Sequence, residues 1–351
     1  QRKGGIVEPE IIITNYTDLN ANDILNQIIS DPADAYYTQE NSELKLIPHK
    51  AGRQADKAAI EKIVNELNEL ENTERMLPVT ITLPNVTSGA ALEMLFRDEL
   101  GTASSYFSTA TQNGKNRGYN MGLAVDKINN MILMPGQEFS FNQVVGPRDI
   151  EHGFKLAHVY IGGKITDGVG GGICQASSTM YNTVLKADLK VTERLNHSFT
   201  VGYVPLGQDA TAYYGGTDFR FVNSTGWPIK LIAGIKGNNI SVTIMGTHEA
   251  PGKSVIISNK ILKQVPFPVQ YIDDPSLPIG TEKVKQEGMT GYTVDTYKTV
   301  KLNGKVVSEQ KLHTSRYRAY AQVILRGTKT PAPVESAVVD TGAAQGAPEA
   351  P

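Results

Sequence analysis

The sequence predicts an α+β multidomain protein: a small α+β module, an α+β domain around one cysteine-bearing helix, and an all-β domain. The 351 residues exceed what one hydrophobic core usually supports. Helical and strand periodicities alternate in the first two blocks, residues 1–100 and 101–250, whereas residues 251–328 hold strand patterns alone. Formal charge changes in step, from −8 to +2 to +6 over 251–326. A disordered tail is expected over 329–351, which is mostly Ala, Pro, Gly, Val and Glu.

The first block has the pattern of a small module with an acidic surface. Asp56 can cap a helix whose apolar positions, beginning at Ile60, recur at i, i+3, i+4 and i+7. The predicted elements are a strand at 11–13, a helix over 18–29, strands at 35–37 and 44–48, a helix after Asp56, a strand over 77–83 and a helix over 88–100.

The second block predicts a helix-and-sheet domain. The expected elements are a loop over 102–114, a helix over 119–131, a strand at 138–141, a helix over 175–187 and four or five strands within 197–250. The third block is rich in Val, Ile, Thr, Tyr and Lys with regular Gly and Pro, which is typical of strands and turns.

Composition excludes several functional classes. A net charge of −2 gives no signal for nucleic acid, and no apolar run reaches the roughly 18 residues of a membrane helix. One cysteine excludes an internal disulfide and a multi-cysteine metal site. No His-x-x-x-His pair or phosphate-binding loop occurs. We expect no cofactor and no metal.

The segment from Gly168 to Asn182 carries the strongest chemical signal. Four glycines among residues 168–172 permit positive φ angles and close approach of another backbone. The helical pattern that follows places Cys174 in a first helical turn, where free N–H groups lower a thiol's pKa and can hold an oxyanion. We therefore predict that Cys174 is a nucleophile. The residues expected to bind substrate around it are Gly171, Gly172, Gln175, Ser177 and Ser178.

A thiolate nucleophile usually needs a base, and His197 is the preferred candidate. It lies 23 residues after Cys174, in a predicted turn that enters a strand. A helix-borne cysteine followed by a strand-borne histidine is the arrangement of papain-like enzymes. His158 is a second candidate. A carboxylate should orient the imidazole. Asp218 is the first candidate and Asp209 the competitor, and the sequence leaves this choice open.

The same residues also have structural interpretations. A single cysteine is more often a small buried side chain than a nucleophile, and either aspartate can simply cap a turn. The glycine run and the polar helix start favour catalysis for Cys174. Tyr214 can line a binding cleft or pack in a glycine-rich turn, and we include it in the substrate site. Three further histidines, His49, His248 and His313, are expected at the surface.

Residues from about 100 to 247 resemble the VanW domain family of Gram-positive bacteria. The matching stretches are Pro135–Asn142, Val145-Gly146, Gly170–Gln175, Ser177–Asn182, Arg194 and His197-Ser198. Residues 251–328 resemble a G5 domain. The matching positions are Pro278-Ile279-Gly280, Gly288, Gly291, Thr296-Tyr297 and Asn303-Gly304-Lys305. The N-terminal block, from about residue 30 to 100, resembles a peptidoglycan-binding-like, wall-associated module.

The VanW resemblance implies a cysteine L,D-transpeptidase that makes 3-3 cross-links in peptidoglycan. Cys174 would attack a carbonyl of the donor tetrapeptide and release D-Ala, and His197 would take the thiol proton and later activate the acceptor amine. Arg194, in the matched stretch, joins the expected substrate-binding residues. In better-known L,D-transpeptidases the histidine precedes the cysteine in a Ser-His-Gly-Cys run, and here that order is reversed.

The G5 resemblance implies binding of polymers that contain N-acetylglucosamine, and the +6 charge suits anionic wall polymers. Expected partners are peptidoglycan stem peptides and glycan, without nucleic acid, for a monomeric protein outside the cytoplasm. Because the chain starts at Gln1, membrane contact is expected only through an anchor preceding it. Two alternatives stay open: a cysteine peptidase or amidase on stem peptides, and a non-catalytic wall-binding protein.

Overall fold

A computed structural model describes residues 19–41, 43–69, 74–161 and 164–330. These residues form a mixed α+β protein with few helices and many strands, which confirms that part of the prediction. The predicted strand at 11–13 and the predicted tail from residue 331 onward lie outside the described residues.

The chain separates into two compact units. Unit 1 comprises the described residues up to His197 together with Val201–Lys260 and Val294–Ser315, and it contains every residue of the site described below. Unit 2 comprises Ser198–Thr200, Ile261–Thr293 and the described residues from Arg316.

The first module follows its predicted pattern in most elements, although a strand over 52–55 was not predicted and its last helix is shorter than predicted. Asp56 accepts a hydrogen bond from the Ala58 N–H at 2.9 Å, as expected of a helix cap. The core between the first two helices is formed by Leu25, Ile28, Ile60, Val64, Leu77 and Val79. The elements are α1 (Ala21–Ile28), β1 (Tyr36–Glu40), β2 (Glu43–Ile47), β3 (Gly52–Ala55), α2 (Lys57–Glu69), β4 (Val79–Thr82) and α3 (Ser88–Met94).

The next domain places one buried helix against an antiparallel sheet. Its elements are β5 (Asp98–Tyr106), α4 (Gln112–Ile128), β6 (Ile132–Leu133), β7 (Glu138–Ser140), α5 (Phe141–Val145), β8 (Leu156–Ile161), β9 (Lys164–Val169), α6 (Ile173–Lys186), β10 (Lys190–Glu193), β11 (Arg220–Val222), β12 (Ile229–Lys236) and β13 (Asn239–Gly246). The main sheet has the order β5-β13-β12-β6, and a second has the order β10-β11-β7. Helix α6 packs on β5, β13 and α4.

The sequence misplaced several boundaries in this domain. The helix predicted over 88–100, before this domain, ends at Met94, and β5 occupies residues 102–106 of the loop predicted over 102–114. Strand β5 pairs with β13, about 140 residues further along, so a distant partner decides its conformation rather than local propensity. Helix α4 starts at Gln112 because Thr111 caps it, seven residues before the predicted start. Residues 197–250 hold three strands, not four or five.

Helix α6 is buried along almost its whole length although half of it is polar. Met180, Tyr181 and Val184 bury fully, and each such side chain stabilises the fold by roughly 1.5–3 kcal/mol. The polar side chains are satisfied internally. For example, the hydroxyl groups of Thr179 and Ser105 form a hydrogen bond, with their oxygens 2.8 Å apart. The cysteine-bearing helix is thus held rigidly on the sheet.

The last block contains six strands, as the all-β prediction expected. They are β14 (Lys253–Val265), β15 (Val269–Pro278), β16 (Glu282–Gln286), β17 (Gly291–Leu302), β18 (Lys305–Tyr317) and β19 (Gln322–Lys329). The sheets have the orders β14-β17-β18 and β15-β19-β16. Because Lys329 closes β19, the block extends one residue into the predicted tail. Among the described helices, none is both long and apolar enough to span a bilayer.

Candidate active site

The glycines before Cys174 let the start of α6 pack closely against its neighbours. Gly172 caps the helix with φ of 107°, a left-handed conformation that favours glycine. A Cβ at Gly172 would lie 2.9 Å from the Arg117 carbonyl oxygen, and one at Gly171 would lie 2.7 Å from the His158 carbonyl oxygen. The glycine run therefore places Cys174, the second residue of α6, beside α4 and β8.

Cys174, His197 and Asp209 form a connected chain of side chains. The half-buried Cys174 thiol lies 3.6 Å from the Ala212 carbonyl oxygen, and the His197 side chain acts on the thiol electrostatically. His197 Nδ1 lies 2.6 Å from Asp209 Oδ2, and the His197 backbone N–H donates to the same oxygen at 2.7 Å. Because Nδ1 faces the carboxylate, Nε2 is the ring nitrogen left for the thiol.

The charges around this chain favour a thiolate beside an imidazolium. Burial raises the pKa of the Cys174 thiol, but the hydrogen bond and charge of His197, with the charge of Arg148, outweigh burial and lower that pKa. Burial lowers the pKa of His197, yet Asp209 and Cys174 raise it overall to about 9. Burial raises the pKa of Asp209, but His197 and Arg194 lower it overall. A thiolate paired with an imidazolium is the activated form of a cysteine nucleophile.

Arg194 supports Asp209 instead of facing an open substrate site. Its Nε donates to the Asp209 carbonyl at 2.7 Å, and Nη2 donates to the Gly207 carbonyl at 3.1 Å and to Asp209 Oδ1 at 3.2 Å. Nη1 donates to Ser315 Oγ at 2.9 Å and to His313 Nδ1 at 3.3 Å. These bonds use the five donors of a guanidinium. We therefore correct the predicted substrate role of Arg194: it positions Asp209.

His313 belongs to this network, not to the surface where the sequence placed it. Its Nε2 lies 2.6 Å from the Tyr181 hydroxyl oxygen. Burial and the charge of Arg194 lower the pKa of His313 to about 4, so the ring is neutral at neutral pH. Because Nδ1 accepts from Arg194, Nε2 carries the proton and donates to Tyr181. The signal was missed because His313 lies on β18, more than a hundred residues beyond Arg194.

Asp218 lies in a separate polar cluster at the start of α5. Its carboxylate accepts hydrogen bonds from Ser140 Oγ at 2.5 Å and from the Asn142 N–H at 2.8 Å, and it lies 3.0 Å from Arg220 Nε. This carboxylate therefore caps α5 and pairs with an arginine. The choice of Asp218 as the residue that orients His197 was wrong, and Asp209 occupies that position.

The polar residues of α6 point into the protein and do not line a mouth. Ser177 and Ser178 are fully buried, and both donate to the Ala210 carbonyl oxygen, at 2.6 and 3.2 Å. Gln175 donates to the Tyr106 carbonyl oxygen at 2.8 Å and accepts from Arg117. The predicted substrate roles of these three side chains are corrected: the two serines hold the segment that carries Asp209 against α6.

Tyr214 and Arg148 are neighbours, and the charge of Arg148 acts on the thiol. The Tyr214 ring is 46% exposed, and its centre lies 5.7 Å from the Arg148 guanidinium carbon. The charges of Arg148 and Cys174 influence each other. Sequence reasoning missed Arg148 because it lies in a loop without periodicity. The one signal beside it was the Val145-Gly146 stretch, two residues earlier.

The second candidate base lies in another setting. His158 is exposed on β8, where its Nε2 lies 3.6 Å from Asp167 of β9. The ring that acts on the thiol is that of His197. The Tyr203 ring stands edge-on to the His197 ring, with the ring centres 6.5 Å apart. Within the described ranges, no three His, Cys, Asp or Glu side chains are grouped to hold a metal ion.

The class of protein is defined by two features. One is an α+β domain with a cysteine on its central helix beside a histidine–aspartate pair, and the other is the all-β domain that follows it. Residues 116–245 match the family described as VanW like protein, and residues 258–329 match the G5 domain family. The chain therefore carries a VanW-like domain followed by a G5 domain, as its motifs predicted. The peptidoglycan-binding-like module expected before them stays a prediction.

Two curated relatives match over the VanW-like part. YoaR of Bacillus subtilis, described as an uncharacterized protein, is 38% identical over 168 residues, which are 48% of this chain and 52% of YoaR. The vancomycin B-type resistance protein VanW of Enterococcus faecalis is 30% identical over 116 residues, 32% of this chain and 42% of VanW. The chain thus spans about half the length of these relatives or less.

Two solved structures are similar to part of the chain. The IgA1 protease G5 domain is 26% identical, with a TM-score of 0.16, and covers 24% of this chain and 99% of that one. The HP0197 G5 structure is 24% identical, with a TM-score of 0.14, and covers 21% of this chain and 97% of that one.

Proposed function

We propose that the VanW-like domain is a cysteine acyltransferase that cross-links peptidoglycan by L,D-transpeptidation. One observation carries this proposal: Asp209 holds Nδ1 of the His197 imidazole at 2.6 Å, and that imidazole acts electrostatically on the thiol at the start of α6. This geometry matches the nucleophile, base and orienting acid of acyl transfer. The thiolate–imidazolium charge state supports the same chemistry.

In the first half-reaction, the Cys174 thiolate attacks the carbonyl carbon of the donor's last amide bond. The C–N bond breaks as His197 Nε2 gives its proton to the leaving nitrogen, so that D-Ala leaves as a neutral amine. The acyl group remains on Sγ as a thioester. Asp209 stabilises the imidazolium before the transfer and keeps Nε2 directed at the reacting atoms.

In the second half-reaction, the acceptor's side-chain amine attacks the thioester carbonyl. His197, now neutral, takes the amine proton, and the new amide forms as the Cys174 thiolate leaves. If water replaces the amine, the same residues perform hydrolysis and the stem is only shortened. The fate of the acyl group therefore separates the transpeptidase from the peptidase or amidase alternative.

A location in the cell wall is part of this proposal. The relative VanW is named for vancomycin resistance, and G5 domains are associated with wall polymers, so both matches support a cell-wall role. We propose that the G5 domain, with its surplus of basic residues, binds wall glycan outside the cytoplasm. Stem peptides are the proposed substrate of the VanW-like domain.

The test is mass spectrometry of products from purified disaccharide-tetrapeptides. The wild type should release D-Ala and form 3-3 dimers, whereas Cys174→Ala should form neither. His197→Ala should lose nearly all turnover, and the exposed His158→Ala is its matched control, expected to keep it. If the products are shortened stems without dimers, the activity is hydrolysis and not transpeptidation. Equal dimer formation by Cys174→Ala would remove the enzymatic proposal and leave the non-catalytic, wall-binding alternative.

A further inference from the structure

Arg148 carries a buried charge without a hydrogen-bonding partner. Its Nε, Nη1 and Nη2 atoms are all buried, and none has a hydrogen-bond partner among the described residues. Arg194, by contrast, has a partner for each of its donors. A buried cation without hydrogen bonds destabilises a protein, so such a group calls for a ligand or another explanation.

The neighbours of Arg148 leave its donors unused. The Phe141 and Tyr214 ring centres each lie 5.7 Å from the guanidinium carbon, so aromatic faces flank the charge without accepting its protons in a conventional hydrogen bond. Three titratable groups act on its charge electrostatically, Cys174, Asp218 and Tyr214. The oxygens of Asp218 already serve Ser140, Asn142 and Arg220.

We propose that Arg148 binds the C-terminal carboxylate of the peptide that Cys174 attacks. This inference rests on the proposed function and names the feature of the donor that the site recognises. A guanidinium binds a carboxylate through two parallel N–H bonds, and these charge-assisted bonds are strong. The carboxyl carbon of a single residue after the scissile bond lies within a few ångströms of the attacked carbonyl, which fits an arginine whose charge reaches the thiol.

The carboxylate reaches Arg148 from the side that Tyr214 covers. Phe141 is fully buried in the core and cannot yield, whereas the Tyr214 ring is 46% exposed. Tyr214 precedes Gly215, which has a φ of 80°, in a turn closed by the Gly216 N–H on the Tyr213 carbonyl at 3.0 Å. Rotation of the exposed ring uncovers the guanidinium without disturbing the core.

If Arg148 binds this carboxylate, the enzyme acts only at the last peptide bond of its donor. Donors with one residue and a free carboxylate after the scissile bond are accepted, and donors with a C-terminal amide are rejected. The experiment measures binding by calorimetry to Cys174→Ala protein, with the peptide L-Ala-γ-D-Glu-meso-diaminopimelate-D-Ala as the free acid and as its C-terminal amide. The acid should bind about tenfold or more tightly than the amide.

In the Cys174→Ala background, Arg148→Gln should abolish this preference and Arg148→Lys should keep part of it. Arg220→Gln is the matched control, because Arg220 pairs with Asp218 away from the thiol, and it should keep the full preference. Equal binding of acid and amide, binding of neither peptide, or an undiminished preference in a folded Arg148→Gln protein would overturn the assignment. The acid–amide comparison with Arg148 intact stands even if the Arg148 variants do not fold.

The two proposals fail separately. If the wild type makes no thioester but prefers the acid, the function falls and the carboxylate site stands. If the wild type makes cross-links equally fast from acid and amide donors, the function stands and the carboxylate site falls.

Discussion

One carboxylate oxygen of Asp209 accepts two hydrogen bonds from His197, from ring Nδ1 at 2.6 Å and from the backbone N–H at 2.7 Å. The ring and its own backbone are therefore fixed by a single acceptor. Asp209 is in turn held by Arg194 through its other carboxylate oxygen and its carbonyl. The orientation of the base is thus set by a segment that has no regular secondary structure.

Asp209→Asn should reduce the rate of acyl transfer by about 10²–10⁴-fold, because an amide neither stabilises the imidazolium nor enforces the reactive tautomer. The rate of D-Ala release from a tetrapeptide measures this effect. Asp218→Asn is the matched control, since it also removes a buried carboxylate charge but lies at α5. It should lower stability and leave the rate of the folded protein near that of wild type. Equal rate losses in both variants would contradict the role of Asp209.

The stability contribution of the His197–Asp209 pair should depend on pH in a bounded window. The pKa of His197 is raised from 6.5 to about 9, so its contribution is complete below pH 6.5 and is lost as pH rises through about 9. The pKa of Asp209 is lowered from 3.8, so its contribution is complete above 3.8 and is lost as pH falls through the depressed value.

Urea unfolding of wild type and Asp209→Asn should therefore differ most between about pH 4 and 6.5, and the difference should shrink toward pH 10. A difference that stays constant from about pH 5 to 10 would show that the folded-state pKa of His197 is not raised.

Arg194→Met should destabilise the protein by about 3–5 kcal/mol, because it leaves Asp209 as a buried charge with one partner fewer. Arg194→Lys should recover little, since an ammonium cannot reproduce five donors in one plane. Chemical denaturation measures both variants. A Lys variant as stable as wild type would mean that charge alone, and not the fork of hydrogen bonds, holds Asp209.

Gly171→Ala should cost about 1–3 kcal/mol of stability and slow thiol chemistry, because its Cβ would lie 2.7 Å from the His158 carbonyl oxygen and 2.8 Å from Ala157 Cβ. Gly122→Ala on α4 is the matched control. Its Cβ would meet nothing within 4 Å, so alanine there should stabilise the helix by roughly 0.5–1 kcal/mol. Thermal unfolding distinguishes the two. If Gly171→Ala leaves the thermal stability unchanged, α6 and β8 separate readily.

Patterns in the sequence predicted Cys174 at a helix start and His197 as its partner, because a glycine run before a helical pattern and a polar turn are local features. The choice between Asp209 and Asp218 could not be made locally. Both are buried, and Asp209 lies in an irregular stretch where no periodicity assigns a direction to side chains. Only the three-dimensional fold brings Asp209 to His197.

Other features depended on partners far along the chain. The first residues of β5 lie in a stretch that has a helical pattern in the sequence. They form a strand because β5 pairs with β13. In the sequence, Arg194 resembles a ligand-binding residue, because its hydrogen-bond partners His313 and Ser315 lie far along the chain. Polar residues at the start of α6 resemble a site lining, but their hydrogen bonds inside the protein are invisible to pattern analysis.

Intact-protein mass spectrometry after rapid acid quenching tests the central claim most directly. The wild type incubated with a disaccharide-tetrapeptide should gain the mass of the donor less D-Ala and lose it on treatment with hydroxylamine, as a thioester does. Cys174→Ser should gain no thioester, and Asp209→Asn should gain it far more slowly. If the wild type releases D-Ala without any adduct on Cys174, or if Cys174→Ala releases D-Ala as fast, then Cys174 is not the nucleophile.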